Sequence, residues 1–117
     1  MDARRRKQLI EQYKARQPEM GVMRVRCIPT GDVFMGPTRN VVAGINGLRA
    51  ELEGGGHPNR RLQGIWNEHG AEAFEMGVVE TLDRRDDVDD YDEDLEELCA
   101  MCMEREPGAE RIWKYWR

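Results

Sequence analysis

The stretch from residue 54 to residue 81 most constrains how this chain can fold, because a loop, a helix and a strand follow one another within it. Its glycine-rich start interrupts regular structure, and Pro58 suits the first turn of a helix because its fixed φ matches helical geometry. Gly70 stands where the C-terminal cap of a helix favours glycine. Between these two residues, one helix face is predicted to carry Leu62, Ile65, Trp66 and His69.

After Gly70 the pattern changes to an alternation that predicts a strand with Phe74, Met76 and Val78 on its buried face. Together with the patterns elsewhere in the chain, this predicts a mixed α/β domain in which helices flank a small, three-stranded, largely antiparallel sheet. The other predicted elements are a helix over residues 2–16, a β-hairpin over 21–36, a helix that begins after Asn40 and an amphipathic helix around 95–103.

The formal net charge of the 117 residues is -5, so the chain as a whole does not attract nucleic acid. The charge is unevenly distributed, with basic residues at positions 4–7 and ten acidic residues between Asp83 and Glu97. No apolar run is long enough for a membrane span or a signal-peptide core, which predicts a soluble, cytoplasmic protein with no membrane partner. The three cysteines are an odd number without a secretory context, so we expect reduced thiols.

Several short motifs in this order resemble the GIY-YIG nuclease family, in particular its homing-endonuclease branch. The resemblance covers residues 19–106, which leaves a basic helix over residues 1–18 and an aromatic, basic tail over residues 107–117. The motifs are Gly21-Val22-Met23, Phe34-Met35-Gly36, Gly56-His57, Asn67-Glu68-His69-Gly70 and Phe74-Glu75.

The resemblance implies a fold used to hydrolyse phosphodiesters, and it also implies which residues would do so. The family uses a tyrosine from each of its first two motifs, an arginine on the following helix and a metal-binding glutamate on a later helix. Some members add a histidine one turn after the arginine. In this sequence those five positions are occupied by Met23, Phe34, Gly44, Cys99 and Leu48. Only His57 keeps the polar residue of the homing branch, so we expect no useful hydrolysis.

Two groups of residues have alternative interpretations. His57 precedes Pro58, where capping of the helix is a simpler role than phosphate binding. Cys99 and Cys102 have the spacing of a redox or zinc motif, but no second pair completes a tetrahedral site, so packing in the core is the favoured role. If a metal did bind, the candidate ligands would be Cys99, Cys102 and His57.

The arginines that could contact phosphates are Arg39, Arg49, Arg60 and Arg61. Arg49 lies five residues after Gly44 and therefore points about 140° away from the family's arginine position. We predict a binding or regulatory module that needs no cofactor and binds nucleic acid weakly. Two alternatives remain. One is an active, Mg²⁺-dependent DNA endonuclease. The other is a small interaction module that uses the acidic run to bind a basic protein, with a homodimer as a further arrangement.

Overall fold

The computed structural model describes residues 3–85 and 87–114, with the side chains of residues 10–16 outside that description. Within this part of the chain, no helix is both long enough and apolar enough to cross a membrane. The elements are α1 (Ala3–Arg16), β1 (Met20–Cys27), β2 (Val33–Thr38), α2 (Val41–Glu53), α3 (Arg60–His69), β3 (Phe74–Leu82), α4 (Asp92–Glu104) and β4 (Glu110–Arg111).

The sheet has the strand order β3-β1-β2-β4. The pairs β1–β2 and β1–β3 are antiparallel, as predicted, whereas β4 pairs in parallel with β2 at Phe34 and Met35. The prediction of three strands was therefore wrong by one. A strand of two residues has no alternation that a sequence pattern could reveal, and its existence depends on contacts with β2 that are remote in sequence.

The two faces of the sheet pack against different helices because successive side chains of a strand point to opposite sides. Met23, Val25 and Cys27 of β1 share one apolar cluster with side chains of α2 and α3. Val22 of β1 points to the opposite face, where it packs with Met35 of β2 and with Cys99 and Cys102 of α4. The molecule is thus a layered α/β domain with apolar clusters on both sides of the sheet, and a third, smaller cluster contains Met20, Tyr91 and Leu95.

The boundaries of α3 show one correct and one incorrect prediction. Gly70 has φ 84°, which confirms the glycine at the end of the helix. The helix begins at Arg60 rather than at Pro58, because the side chain of Asn59 accepts a hydrogen bond from the N–H of Leu62 at 3.1 Å and acts as the N-cap.

The strand β3 exists as predicted, but Val78 is not buried. Phe74 and Met76 are half-buried against the α2–α3 side, whereas Val78 is 41% exposed. The pairing of β3 with β1 changes register at Val22 and Met23, and β3 is an edge strand with only one neighbour in the sheet. Val78 pairs with Met23 in the same register that places Met76 opposite Val25, so it keeps the predicted face and is exposed there at the edge of the sheet.

Helix α2 contains two glycines, and the structure explains one of them. A Cβ on Gly44 would lie 2.8 Å from the Sδ of Met23 and 2.8 Å from the Oγ1 of Thr38, so α2 and the sheet approach each other closely there. The Thr38 hydroxyl cannot turn away freely, since it donates to the carbonyl of Asn40 at 2.9 Å. A Cβ on Gly47 would meet no atom within 4 Å, and nothing in the structure explains that glycine.

We therefore expect opposite effects of Gly44→Ala and Gly47→Ala on the free energy of unfolding. Gly44→Ala should lower it by about 1 kcal/mol, because overpacking costs about 1–3 kcal/mol and the better helix propensity returns only about 1 kcal/mol. Gly47→Ala should raise it by about 0.5–1 kcal/mol. Urea denaturation of both variants measures the two changes. Equal stabilisation by the two substitutions would contradict the close contact at Gly44.

Candidate functional site

Four of the positions at which the resemblance places family functional residues lie together on the α2–α3 side of the sheet. Met23 and Phe34 are fully buried, and Leu48 is 1% exposed. All three belong to one apolar cluster. Gly44 faces Met23 at the close contact described above, so the thioether of Met23 occupies the space that a side chain at position 44 would need. The structure thus brings together the four positions Met23, Phe34, Gly44 and Leu48.

The chemistry of these side chains is limited. A thioether and a phenyl ring neither hold nor move a proton at neutral pH, and glycine presents no cation to a phosphate. A charged group, Arg61, lies close to this group of residues, with its guanidinium carbon 5.8 Å from the centroid of the Phe34 ring. That guanidinium already binds Glu110 and Asp32, and its hydrogen bonds to these two carboxylates raise the pKa of Arg61. Arg61 therefore stays charged and serves to join α3 to the hairpin turn and to β4.

Cys99 is not part of this group. It lies on α4, is fully buried and packs with Val22, Val33, Met35 and Cys102. The sequence alignment that places the family's glutamate at Cys99 thus puts that position in a different cluster from Met23 and Phe34. Burial raises the pKa of the Cys99 thiol to about 11 and also raises the pKa of Cys102. Neither thiol forms a disulfide in the structure, and burial of both is confirmed.

In the described part of the chain, no three histidine, cysteine, aspartate or glutamate side chains lie together so that they could hold a metal ion. His57 lies beside Trp113, which packs against the α2–α3 cluster, whereas Cys99 and Cys102 pack with Met35 in the α4 cluster. The ligand set of Cys99, Cys102 and His57 that the sequence allowed therefore gains no support from the structure. That the cysteines bind no metal remains a prediction.

We expect native-state labelling of Cys99 and Cys102 by a thiol reagent at pH 8 to be slow. The thiolate is the reactive form, and a pKa of about 11 for Cys99 leaves little of it at that pH. Absorbance on reaction with Ellman's reagent, with and without denaturant, measures this, because the unfolded chain should react about tenfold faster or more. Rapid native reaction of both thiols, or one equivalent of tightly bound zinc in elemental analysis, would contradict the assignment to the core.

His57 is buried, with 3% of its surface exposed. Its Nδ1 accepts a hydrogen bond from the N–H of Asn59 at 3.0 Å, and its own N–H donates to the Oε1 of Gln63 at 3.0 Å. Its ring lies beside that of Trp113, with 6.2 Å between centroids. These contacts fix the loop before α3, but the N-cap of the helix is Asn59 and not His57.

The four arginines proposed to contact phosphates do not form one surface. Arg39 binds Asp92 of α4 through both its Nε and its second terminal nitrogen, and Arg61 binds Asp32 and Glu110. Arg39 follows the end of β2 whereas Asp32 precedes its start, so the six residues of β2 separate the two ion pairs by about 20 Å. Arg49 and Arg60 are exposed, and no carboxylate in the described ranges forms an ion pair with either.

Residues 110–113 form a C-terminal strap across the second motif, a role that the sequence patterns did not predict. The N–H of Ile112 donates to the carbonyl of Met35 at 2.9 Å, and Ile112 is fully buried in the cluster that contains Phe34. Trp113 lies against Gly36, where a Cβ would be 2.9 Å from its indole ring. The adjacent apolar residues Ile112 and Trp113 could have indicated a buried segment within the tail, which the sequence interpretation described only as aromatic and basic.

Among solved structures, the catalytic domain of homing endonuclease I-TevI matches this chain with a TM-score of 0.65 and 17% sequence identity, over 81% of this chain and 99% of that chain. A mutant of the catalytic domain of intron endonuclease I-TevI matches with a TM-score of 0.61 and 20% identity, over 74% of this chain and 82% of that chain. No protein-family model and no curated protein matches the sequence. The expected fold of a GIY-YIG nuclease catalytic domain is therefore confirmed.

Proposed function

We propose that this protein is a nuclease-fold module that has lost phosphodiester hydrolysis and retains weak binding of nucleic acid. The observation that carries the proposal is the burial of Met23, Phe34 and Leu48 in one apolar cluster, with Gly44 packed against Met23. Hydrolysis needs a base that activates water and a cation that meets developing charge. The fold is retained while its reactive positions serve as core.

The binding half of the proposal is supported by the fold of a homing endonuclease domain and by two exposed arginines, Arg49 and Arg60. Phosphate oxygens accept hydrogen bonds from guanidinium groups, and such contacts carry no base information. Two such arginines on a chain with a net charge of -5 make a weak interface. Arg39 and Arg61 contribute less than the sequence suggested, because each already binds carboxylates.

The first alternative, an active endonuclease with Mg²⁺, requires catalytic groups outside the positions named above. His57 is the polar residue that the resemblance retains, and its Nδ1 accepts a hydrogen bond from the N–H of Asn59.

The second alternative, an interaction module, depends on the acidic run. Part of that run stabilises the start of α4, where Asp92, Glu93 and Asp94 occupy the first turn. Loss of binding to a basic protein after neutralisation of Asp86 to Asp94 would favour this second alternative.

We expect binding of duplex DNA to be sensitive to salt and insensitive to sequence. If Arg49 and Arg60 each neutralise one phosphate, a fourfold rise in salt lowers the association constant about tenfold. Replacing both by glutamine should weaken binding to all sequences alike. Fluorescence anisotropy of labelled duplexes at several salt concentrations measures both effects.

The matched control is the double variant Arg39→Gln, Arg61→Gln, which removes the same charge from arginines that are already in ion pairs. This control should weaken binding less than the variant at positions 49 and 60. Tight, sequence-selective binding that persists at physiological salt would refute the proposed weak phosphate interface.

A further inference from the structure

A cavity of about 740 Å³ lies between the start of α3 and the C-terminal strap, lined by residues 58–60 and 110–114. Its size falls within the range of small-molecule sites, which is about 300–1,000 Å³. It adjoins a smaller depression lined by the glycine-rich loop, and Pro58 and Arg60 belong to both. Its lining residues Ile112 and Trp113 also pack in the apolar cluster of Met23 and Leu48, but neither Met23 nor Leu48 lines the cavity.

The walls of this cavity are held in place by contacts from three elements. The side chain of Asn59 donates to the carbonyls of Arg111 and Ile112, both at 3.0 Å. Arg111 forms two hydrogen bonds with Glu96 of α4, at 2.7 and 2.8 Å. A site with a fixed shape loses less entropy when a ligand binds, so this rigidity favours a specific occupant.

One wall is aromatic and another carries a positive charge. Trp113 is half-buried, with part of its indole against Gly36, and it also lines the cavity. Arg60 is exposed at the rim, and no described carboxylate binds it, in contrast to Arg61, which contacts Asp32 and Glu110. An indole favours a flat aromatic partner, and a guanidinium favours a phosphate.

We propose that this cavity binds one unpaired nucleotide, with its base against Trp113 and its phosphate on Arg60. This inference rests on the proposed function and specifies the form of nucleic acid that the chain binds. In a duplex both faces of each base are stacked on neighbouring bases, so contact with Trp113 requires a nucleotide outside the stack. The occupant is a free mononucleotide or the unpaired end of a strand.

The test is competition against a dye-labelled, four-nucleotide single strand, followed by fluorescence anisotropy. Unlabelled mononucleotide, nucleoside, inorganic phosphate and a duplex of the same sequence are the competitors. We expect the mononucleotide to displace the probe at a concentration about tenfold lower than the nucleoside or phosphate does, because only it makes both contacts. If the single strand displaces the probe far better than the mononucleotide, the occupant is a strand end.

Arg60→Gln should weaken binding of the probe about tenfold, whereas Arg105→Gln, which removes the same charge from an exposed side chain at the end of α4, should leave it unchanged. Trp113→Leu should weaken binding about tenfold through loss of stacking. Trp113 also packs against the core, so that variant is used only if its thermal unfolding matches that of the parent chain. Arg60 is on the surface and keeps the test decisive in either case.

Equal displacement by duplex and single strand, equal losses in Arg105→Gln and Arg60→Gln, or no probe binding at all would each overturn this inference. The first two results leave the proposed phosphate-binding module standing. Failure of the proposed function is recognised separately, because it appears as DNA cleavage in the presence of a divalent metal.

Discussion

Supercoiled plasmid should remain supercoiled when it is incubated with the purified protein and Mg²⁺ or Mn²⁺. Loss of one preorganised donor to developing charge typically lowers the rate about 100- to 1,000-fold. Met23 and Phe34 stand where the resemblance implies proton-bearing groups, and Gly44 stands where it implies a cation; all three lie in tight packing. Because the reactive groups act together, their joint loss should reduce hydrolysis to the level of the buffer. Agarose gel electrophoresis over several hours measures nicked and linear products.

The control for this experiment is a His57→Gln variant purified in the same way. Trace nuclease from the expression host would give equal cleavage in both samples, and further chromatography would separate it from the protein. Robust metal-dependent cleavage that follows the protein through purification and disappears in His57→Gln would contradict the loss of hydrolysis. It would also make His57 a catalytic residue.

Ile112→Ala should lower the free energy of unfolding by about 2–4 kcal/mol. Its side chain is fully buried in the cluster of Phe34 and Leu48, so truncation leaves a cavity in the core. Without this anchor in the core, the strap would also hold the backbone hydrogen bond from residue 112 to the carbonyl of Met35 less firmly. Calorimetry should show a decrease in Tm of about 10 °C for a domain of this size.

Lys114→Ala is the matched control, since Lys114 lies two residues further along the same segment and is exposed. A surface substitution of this kind should change stability by no more than about 0.5 kcal/mol. If Ile112→Ala and Lys114→Ala were equally harmless, the strap would not be part of the core and the pairing of β4 with β2 would be wrong.

Local signals predicted most of the fold correctly. Asn40 accepts the N–H of Ala43 at 3.0 Å and caps α2, and Gly70 ends α3 with a positive φ. Hairpin and helix periods depend on neighbours within a few residues, which a sequence displays directly. β4 and the exposure of Val78 depend instead on strand pairing between distant segments.

The candidate site shows the same division. The resemblance identified Met23, Phe34, Gly44 and Leu48, and the structure places them together. It did not indicate that Cys99 packs in another cluster, because placing α4 requires the tertiary arrangement. The ion pairs of Arg39 with Asp92 and of Arg61 with Asp32 join residues 53 and 29 positions apart. No pattern along the chain predicts such pairs, so the sequence overestimated the arginines available to phosphate.

The most direct test of a nuclease fold that binds without cutting is to follow both events in one sample. A duplex with a fluorescent label is titrated with the protein at low salt in the presence of Mn²⁺. Its anisotropy reports binding, and a denaturing gel of the same mixture reports strand length. We expect the anisotropy to rise with added protein and to fall again when salt is added, while every strand stays at full length on the gel. Shortened strands that accumulate in proportion to bound protein, and are absent from His57→Gln samples, would contradict it.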